Sequence, residues 1–137
     1  MKRKILTPVV LAVALLLVAS AVWAESNWEG TFCEIDPSQF PGISGTWKGT
    51  FHTITTPSTF PYFLGTWDSD GHSGACGGIA LLGTAAGDYC VVNGWAEVDG
   101  DTLYDCWKGS FNEKTGLAHG TWKTELYYGE WEGRMLE

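Results

Sequence analysis

Read for its pattern of apolar and polar positions, the chain repeats with a period of two. Gly45, Trp47, Gly49 and Phe51 alternate with Thr46, Lys48, Thr50 and His52, so one face is aromatic and small while the other is polar. Trp107, Gly109 and Phe111 stand opposite Lys108 and Ser110 in the same way, and Gly129, Trp131, Gly133 and Met135 stand opposite Glu130, Glu132 and Arg134. A strand with one buried and one solvated face gives this alternation. No window carries an apolar stripe at a period of 3.6 residues between helix caps. The chain reads as all-β, with strands near residues 27–35, 43–54, 61–68, 76–82, 89–98, 102–112, 118–124 and 127–135.

A short motif recurs along these strands. A tryptophan, a charged residue, a glycine, one further residue and Phe or Met occupy Trp28–Phe32, Trp47–Phe51, Trp107–Phe111 and Trp131–Met135. A longer copy runs from Pro37 to Trp47 and again from Pro57 to Trp67. The proline-flanked pieces read as connections, because proline gives no hydrogen bond to a strand ladder. Two architectures compete: a parallel solenoid with rungs of about twenty residues, and an antiparallel up-and-down meander. The spacing of the later tryptophans, at 95, 107, 122 and 131, is too irregular for a constant rung. Asp99-Gly100 is a two-residue hairpin signal, and Lys114-Thr115-Gly116 is a second turn. The expectation is therefore a meander of about eight strands, closed or nearly closed into a small barrel. In such a barrel a tryptophan on one strand is expected to face a glycine on the next, and the ring covers the bare backbone. Gly71–Gly78 and Gly83–Gly87 read as glycine-rich loops bracketing Ile79–Leu82, a short apolar run that fits a buried strand or a plug across one end.

The stretch Gly45–Phe51, GTWKGTF, resembles the first strand of up-and-down barrels of the lipocalin and avidin kind, where a G-x-W opens the barrel. The resemblance implies a barrel and carries no binding residue across.

The first residues change the picture of location. A basic Lys2-Arg3-Lys4, the apolar run Ile5–Val18 and the small residues of Val22-Trp23-Ala24 predict a secretory signal peptide over residues 1–24, cleaved before Glu25. An uncleaved membrane anchor is the competing reading. Cleavage leaves a single domain, residues 25–137, and an exported, periplasmic or extracellular protein with no stable membrane insertion. Three of the eight basic residues lie in the leader, so five face sixteen acidic ones in the remainder, a formal charge of −11. That charge disfavours nucleic acid and anionic membrane as partners. A closed barrel has no free edge, which predicts a monomer.

Candidate chemistry is sparse. Cys33, Cys76, Cys90 and Cys106 predict two disulfides in an oxidising compartment. Three connectivities are open, and Cys76–Cys90 with Cys33–Cys106 is favoured because the first closes a short loop and the second ties early chain to late chain. Asp68 and Asp70 in DSDGH resemble the opening of a calcium loop without its distal glutamate; the competing reading is a plain turn. Calcium is the only cofactor suggested. His52, His72 and His119 are too scattered for a zinc motif, and no nucleophile elbow or phosphate loop occurs. Three function classes remain. The first is a non-enzymatic module binding a small apolar or sugar ligand through Trp47, Trp67, Trp107 and Trp122. The second is a structural or interaction protein of the cell envelope, and the third a hydrolase built on clustered carboxylates.

Overall fold

The structure, a computed structural model, describes residues 25–35, 42–53 and 60–137. The expected leader and most of both proline-flanked connections lie outside the described residues. Eight strands follow in chain order: β1 (Glu25–Glu34), β2 (Ser44–His52), β3 (Tyr62–Ser69), β4 (His72–Leu82), β5 (Asp88–Val98), β6 (Asp101–Asn112), β7 (Leu117–Lys123) and β8 (Tyr128–Met135). Each pairs antiparallel with the next, and β1 pairs with β8 to close the barrel. The meander is the fold, and the solenoid is excluded. Asp70-Gly71 and Asp99-Gly100 turn the chain with φ of 46° and 88°, and 50° and 85°, the doubly positive pattern of a tight hairpin.

The inward side chains explain the tryptophan–glycine alternation. Trp47 on β2 lies over Gly30 of β1 and Gly133 of β8, and its Nε1 donates to the Glu132 carbonyl at 3.2 Å. Trp131 covers Gly109 and Gly120 and donates to the Lys108 carbonyl at 3.0 Å. Trp67 covers Gly74 and donates to Glu97; Trp107 covers Gly94 and donates to Trp95. A methyl group at any of these glycines would collide with an indole or a neighbouring carbonyl. The indole N–H groups are thereby satisfied by the wall itself.

The expected rule that tryptophan faces glycine across each pair holds only in part. It holds between β1 and β2 (Gly30 opposite Trp47), β3 and β4 (Trp67 opposite Gly74), β5 and β6 (Gly94 opposite Trp107) and β7 and β8 (Gly120 opposite Trp131). Between β2 and β3, however, Trp47 faces Trp67 and Gly49 faces Gly65, and between β6 and β7 Trp107 faces Trp122. The facing rings there lean apart: Trp47 lies over Gly30 and Gly133 and Trp67 over Gly74, as Trp107 lies over Gly94 and Trp122 over Gly129.

The segment expected as a flexible loop, Gly71–Gly78, is strand from His72 onward. Its glycines are needed inside the sheet: Gly74 lies under Trp67, and Gly78 lies against Val91 and near Trp107. Composition suggested a loop; ring coverage made it a wall. Ile79–Leu82 continues the same wall and plugs nothing, with Ala80 buried inside and Ile79 and Leu81 exposed outside.

The expected disulfides are absent, and all four cysteines are free thiols. The alternation on β1 and β5 turns Cys33 and Cys90 outward, while Cys76 and Cys106 line the interior. Each favoured pairing would therefore join an inward sulfur to an outward one through the barrel wall.

Candidate functional site

The core fills one end of the barrel and stops. Phe111 sits at its hub, with ring centroids 5.2 Å from Trp28, 5.2 Å from Phe51, 5.1 Å from Phe63 and 5.4 Å from Trp131. Tyr89 packs against Phe51 with centroids 5.1 Å apart and ring planes tilted by 52°, and finishes this closed end. Ser26 and Glu113 hydrogen-bond across it at 3.3 Å, and the chain termini of the barrel lie there too, with Leu136 N donating to the Asn27 carbonyl.

Towards the opposite end the interior opens into a cavity of about 590 Å³, within the range of small-molecule sites. Its floor is Trp47, Phe111 and Trp131, and its walls carry Phe32, Trp67, Trp107 and Trp122 together with Cys76, Ala96 and Leu103. Phe32 meets Trp67 and Trp122 edge to face at 6.4 and 6.0 Å. The polar groups are confined to the rim, formed by the β3–β4, β5–β6 and β7–β8 turns: Ser69, His72, Asp99, Lys123 and Thr124. His72 Nδ1 lies 3.1 Å from Asp99 Oδ1 and ties two of these turns together.

All four tryptophans selected from the sequence, Trp47, Trp67, Trp107 and Trp122, line this one cavity. Trp47 is buried at its floor, whereas the other three are half-buried against it. Four of the indole N–H groups in the cavity are spent on wall carbonyls. Trp122 Nε1 is buried and has no partner among the described residues. Sequence reasoning missed Phe32, Cys76, Ala96, Leu103 and Cys106. Ala96 and Leu103 lie on strands whose inward phase is reset by bulges, where β5 and β6 slip register between Val91 and Gly94 and between Gly94 and Ala96. Period-two counting fails across such a slip.

Burial pushes the Cys76 thiol from 9.0 up to about 12, helped by the neighbouring Cys106. Cys106 is raised mainly by burial, with the charge of Asp105 adding to it. Both stay protonated at neutral pH. Cys106 Sγ donates to the Leu103 carbonyl at 3.6 Å.

Asp68 lies on β3 opposite Thr46 and Ser73, and Asp70 is the first turn residue of the β3–β4 hairpin. Among the described residues no three His, Cys, Asp or Glu side chains come together to hold a metal ion. His52 pairs with Glu25 at 3.1 Å and stacks on Tyr62 at the closed end, far from His72 at the rim.

The outer wall is uneven. Lys48, Lys108, Glu130, Glu132 and Arg134 keep most of it polar, but Leu64 on β3, Ile79 and Leu81 on β4 and Val92 on β5 are exposed and apolar. Comparison with known proteins returned no matching family model, no matching curated protein and no matching solved structure.

Proposed function

We propose that this protein is a non-enzymatic binding module that takes one small, largely apolar molecule into the open end of its barrel. One observation carries the reading: the aromatic core ends halfway, leaving a cavity of about 590 Å³ walled by tryptophans and rimmed by polar turns. Indole faces and edges offer large apolar contact at little entropic cost, and the N–H groups that would compete for a polar guest are mostly committed to the wall. The guest is therefore chosen by shape and apolar area, with its polar end at the rim beside Ser69, His72 and Lys123. The apolar lining favours a compact hydrophobe over a sugar ring, whose hydroxyls would be left without partners inside. An exported setting, expected from residues 1–24, suits a carrier or scavenger outside the cytoplasm.

Native mass spectrometry of the protein purified from its own envelope tests this. The expected spectrum contains one extra mass of a few hundred daltons per chain, lost at raised collision energy. A bare chain that also takes up none of a panel of apolar compounds would overturn the reading.

A second reading is favoured by the apolar strip on β3–β5. Contiguous exposed apolar surface marks interaction sites, and an envelope interaction protein would use that strip in place of the cavity. Concentration-dependent association abolished by Leu64→Glu or Leu81→Glu, with no ligand found, would favour it.

A further inference from the structure

Two thiols face the same cavity, and the apolar-guest reading uses neither. Cys76 comes from β4 and Cys106 from β6. Ala96 of β5 lies between them: it is the direct partner of Cys76, and its backbone amide faces the sulfur of Cys106.

The placement of Cys106 is a departure from regular strand. Leu103 pairs with Ala96 and Trp107 with Gly94, so three β6 residues, 104–106, span one residue of β5. Within this bulge Asp105 takes a φ of 58°, a left-handed conformation unusual for a side-chain-bearing residue. Asn93 Nδ2 holds Asp105 Oδ1 at 2.9 Å. The result is that Cys106 and Trp107, adjacent in sequence, both face inward, which a flat strand does not allow. Without the bulge Cys106 would point to solvent.

We propose that Cys76 and Cys106 together form a two-thiolate site for a soft, two-coordinate cation of the monovalent copper or silver type, set in the cavity wall. Three physical points select this chemistry. Thiolates prefer soft cations. No third His, Cys, Asp or Glu among the described residues joins the pair, so ions needing three or four protein donors are poorly served. The spacing also suits a metal better than a disulfide. Strands two apart in a sheet have backbones roughly 9.5 Å from each other, beyond the roughly 7 Å between Cα atoms that a disulfide spans. A linear sulfur–metal–sulfur unit with bonds of about 2.3 Å puts the sulfurs about 4.6 Å apart, which two cysteine side chains leaning inward from such strands can reach.

Binding forms two sulfur–metal bonds and releases two thiol protons to solvent, with the cation's oxidation state unchanged. Both thiols are protonated at neutral pH, so two protons per metal make the apparent affinity rise about 100-fold per pH unit. The other titratable groups on the cavity are His72, Asp99, Lys123 and Tyr127 at the rim, and Asp105 acts on Cys106 from the bulge. The site stands apart from the apolar-guest reading: apolar-probe binding without metal uptake would overturn this proposal and leave that one intact.

The test is an anaerobic competition titration of the reduced full-length protein with Cu(I) held by a chromophoric chelator. The expected result is one Cu(I) per chain, a thiolate-to-metal absorption band and release of two protons. Cys76→Ser or Cys106→Ser should each weaken binding at least about 100-fold, whereas Cys33→Ser and Cys90→Ser, on the outer face, should leave it unchanged. Cys106→Ala provides a second variant if serine in the apolar wall impairs folding. Uptake that survives loss of Cys76 or Cys106, or no uptake by the reduced protein, would overturn the proposal. So would a Cys76–Cys106 crosslink in the non-reduced peptide map.

Discussion

The β3–β4 and β7–β8 hairpins share one register and differ in what they put inside. Trp67 faces Gly74 as Trp122 faces Gly129, and Gly65 faces Cys76 as Gly120 faces Trp131. At the next position Phe63 faces Gly78 as Ala118 faces Gly133. Volume is therefore traded along the strands. The β7–β8 hairpin places its bulk in Trp131, at the cavity floor, and only a methyl at Ala118. The β3–β4 hairpin places its bulk lower, in Phe63, and only a thiol at Cys76. Where Trp131 fills the barrel's middle on one side, Cys76 leaves the other side open, and Ala96 next to it widens the gap. The cavity is thus a consequence of one small residue in a large residue's place.

That comparison can be broken by mutation, and the largest effect should fall on the filled hairpin. Trp131→Ala removes a buried ring and strands the Lys108 carbonyl, so it should cost about 3–5 kcal/mol in chemical denaturation. Cys76→Ala, at the matching position, should cost about 1 kcal/mol or less, because its side chain already borders a void. Equal costs would mean that the two positions are not opposites.

A smaller effect sharpens the account of the glycines. Gly120→Ala places a methyl against the Trp131 indole and the Lys108 carbonyl, an overpacking that should cost about 1–3 kcal/mol. Part of that cost should vanish in the Trp131→Ala background, giving a coupling of at least about 0.5 kcal/mol in a double-mutant cycle. Additive costs would show that the ring does not set the need for glycine.

The last effect is on pH dependence. Burial holds the Cys76 proton up to about 12 in the folded chain, against 9.0 for an ordinary thiol. The folded state therefore binds more protons than the unfolded state above pH 9. The stabilisation is complete below that pH and is lost as pH rises towards 12. Melting temperatures should fall over this range, and less steeply in Cys76→Ala. Parallel curves for the two proteins would contradict the buried, cavity-facing thiol.

Much of this was legible in the sequence, and the failures share a cause. The strand count and the inward tryptophans follow from a period of two, because regular strands keep that phase, and the Asp99-Gly100 hairpin follows from its turn residues. The lining residues Ala96, Leu103 and Cys106 lie where bulges reset the phase, so counting from Trp107 puts Cys106 outside. The His72–Gly78 segment looked like a loop because its glycines were taken for flexibility; they are the receiving surfaces of rings on other strands. The disulfide expectation rested on the number of cysteines, which carries no information about which side of a wall each one faces.

The central claim is that the barrel's open end is an accessible apolar cavity bounded by Trp67, Trp107 and Ala96. Equilibrium titration with a neutral naphthylamine fluorophore, read by energy transfer from tryptophan, tests it directly in the native protein and in Ala96→Phe. One saturable site in the native protein is expected. Binding should be at least about tenfold weaker in the variant, whose added ring occupies the gap beside Cys76, with folding stability changed by about 1 kcal/mol or less. No saturable site, or equal binding by a folded Ala96→Phe protein, would contradict the account.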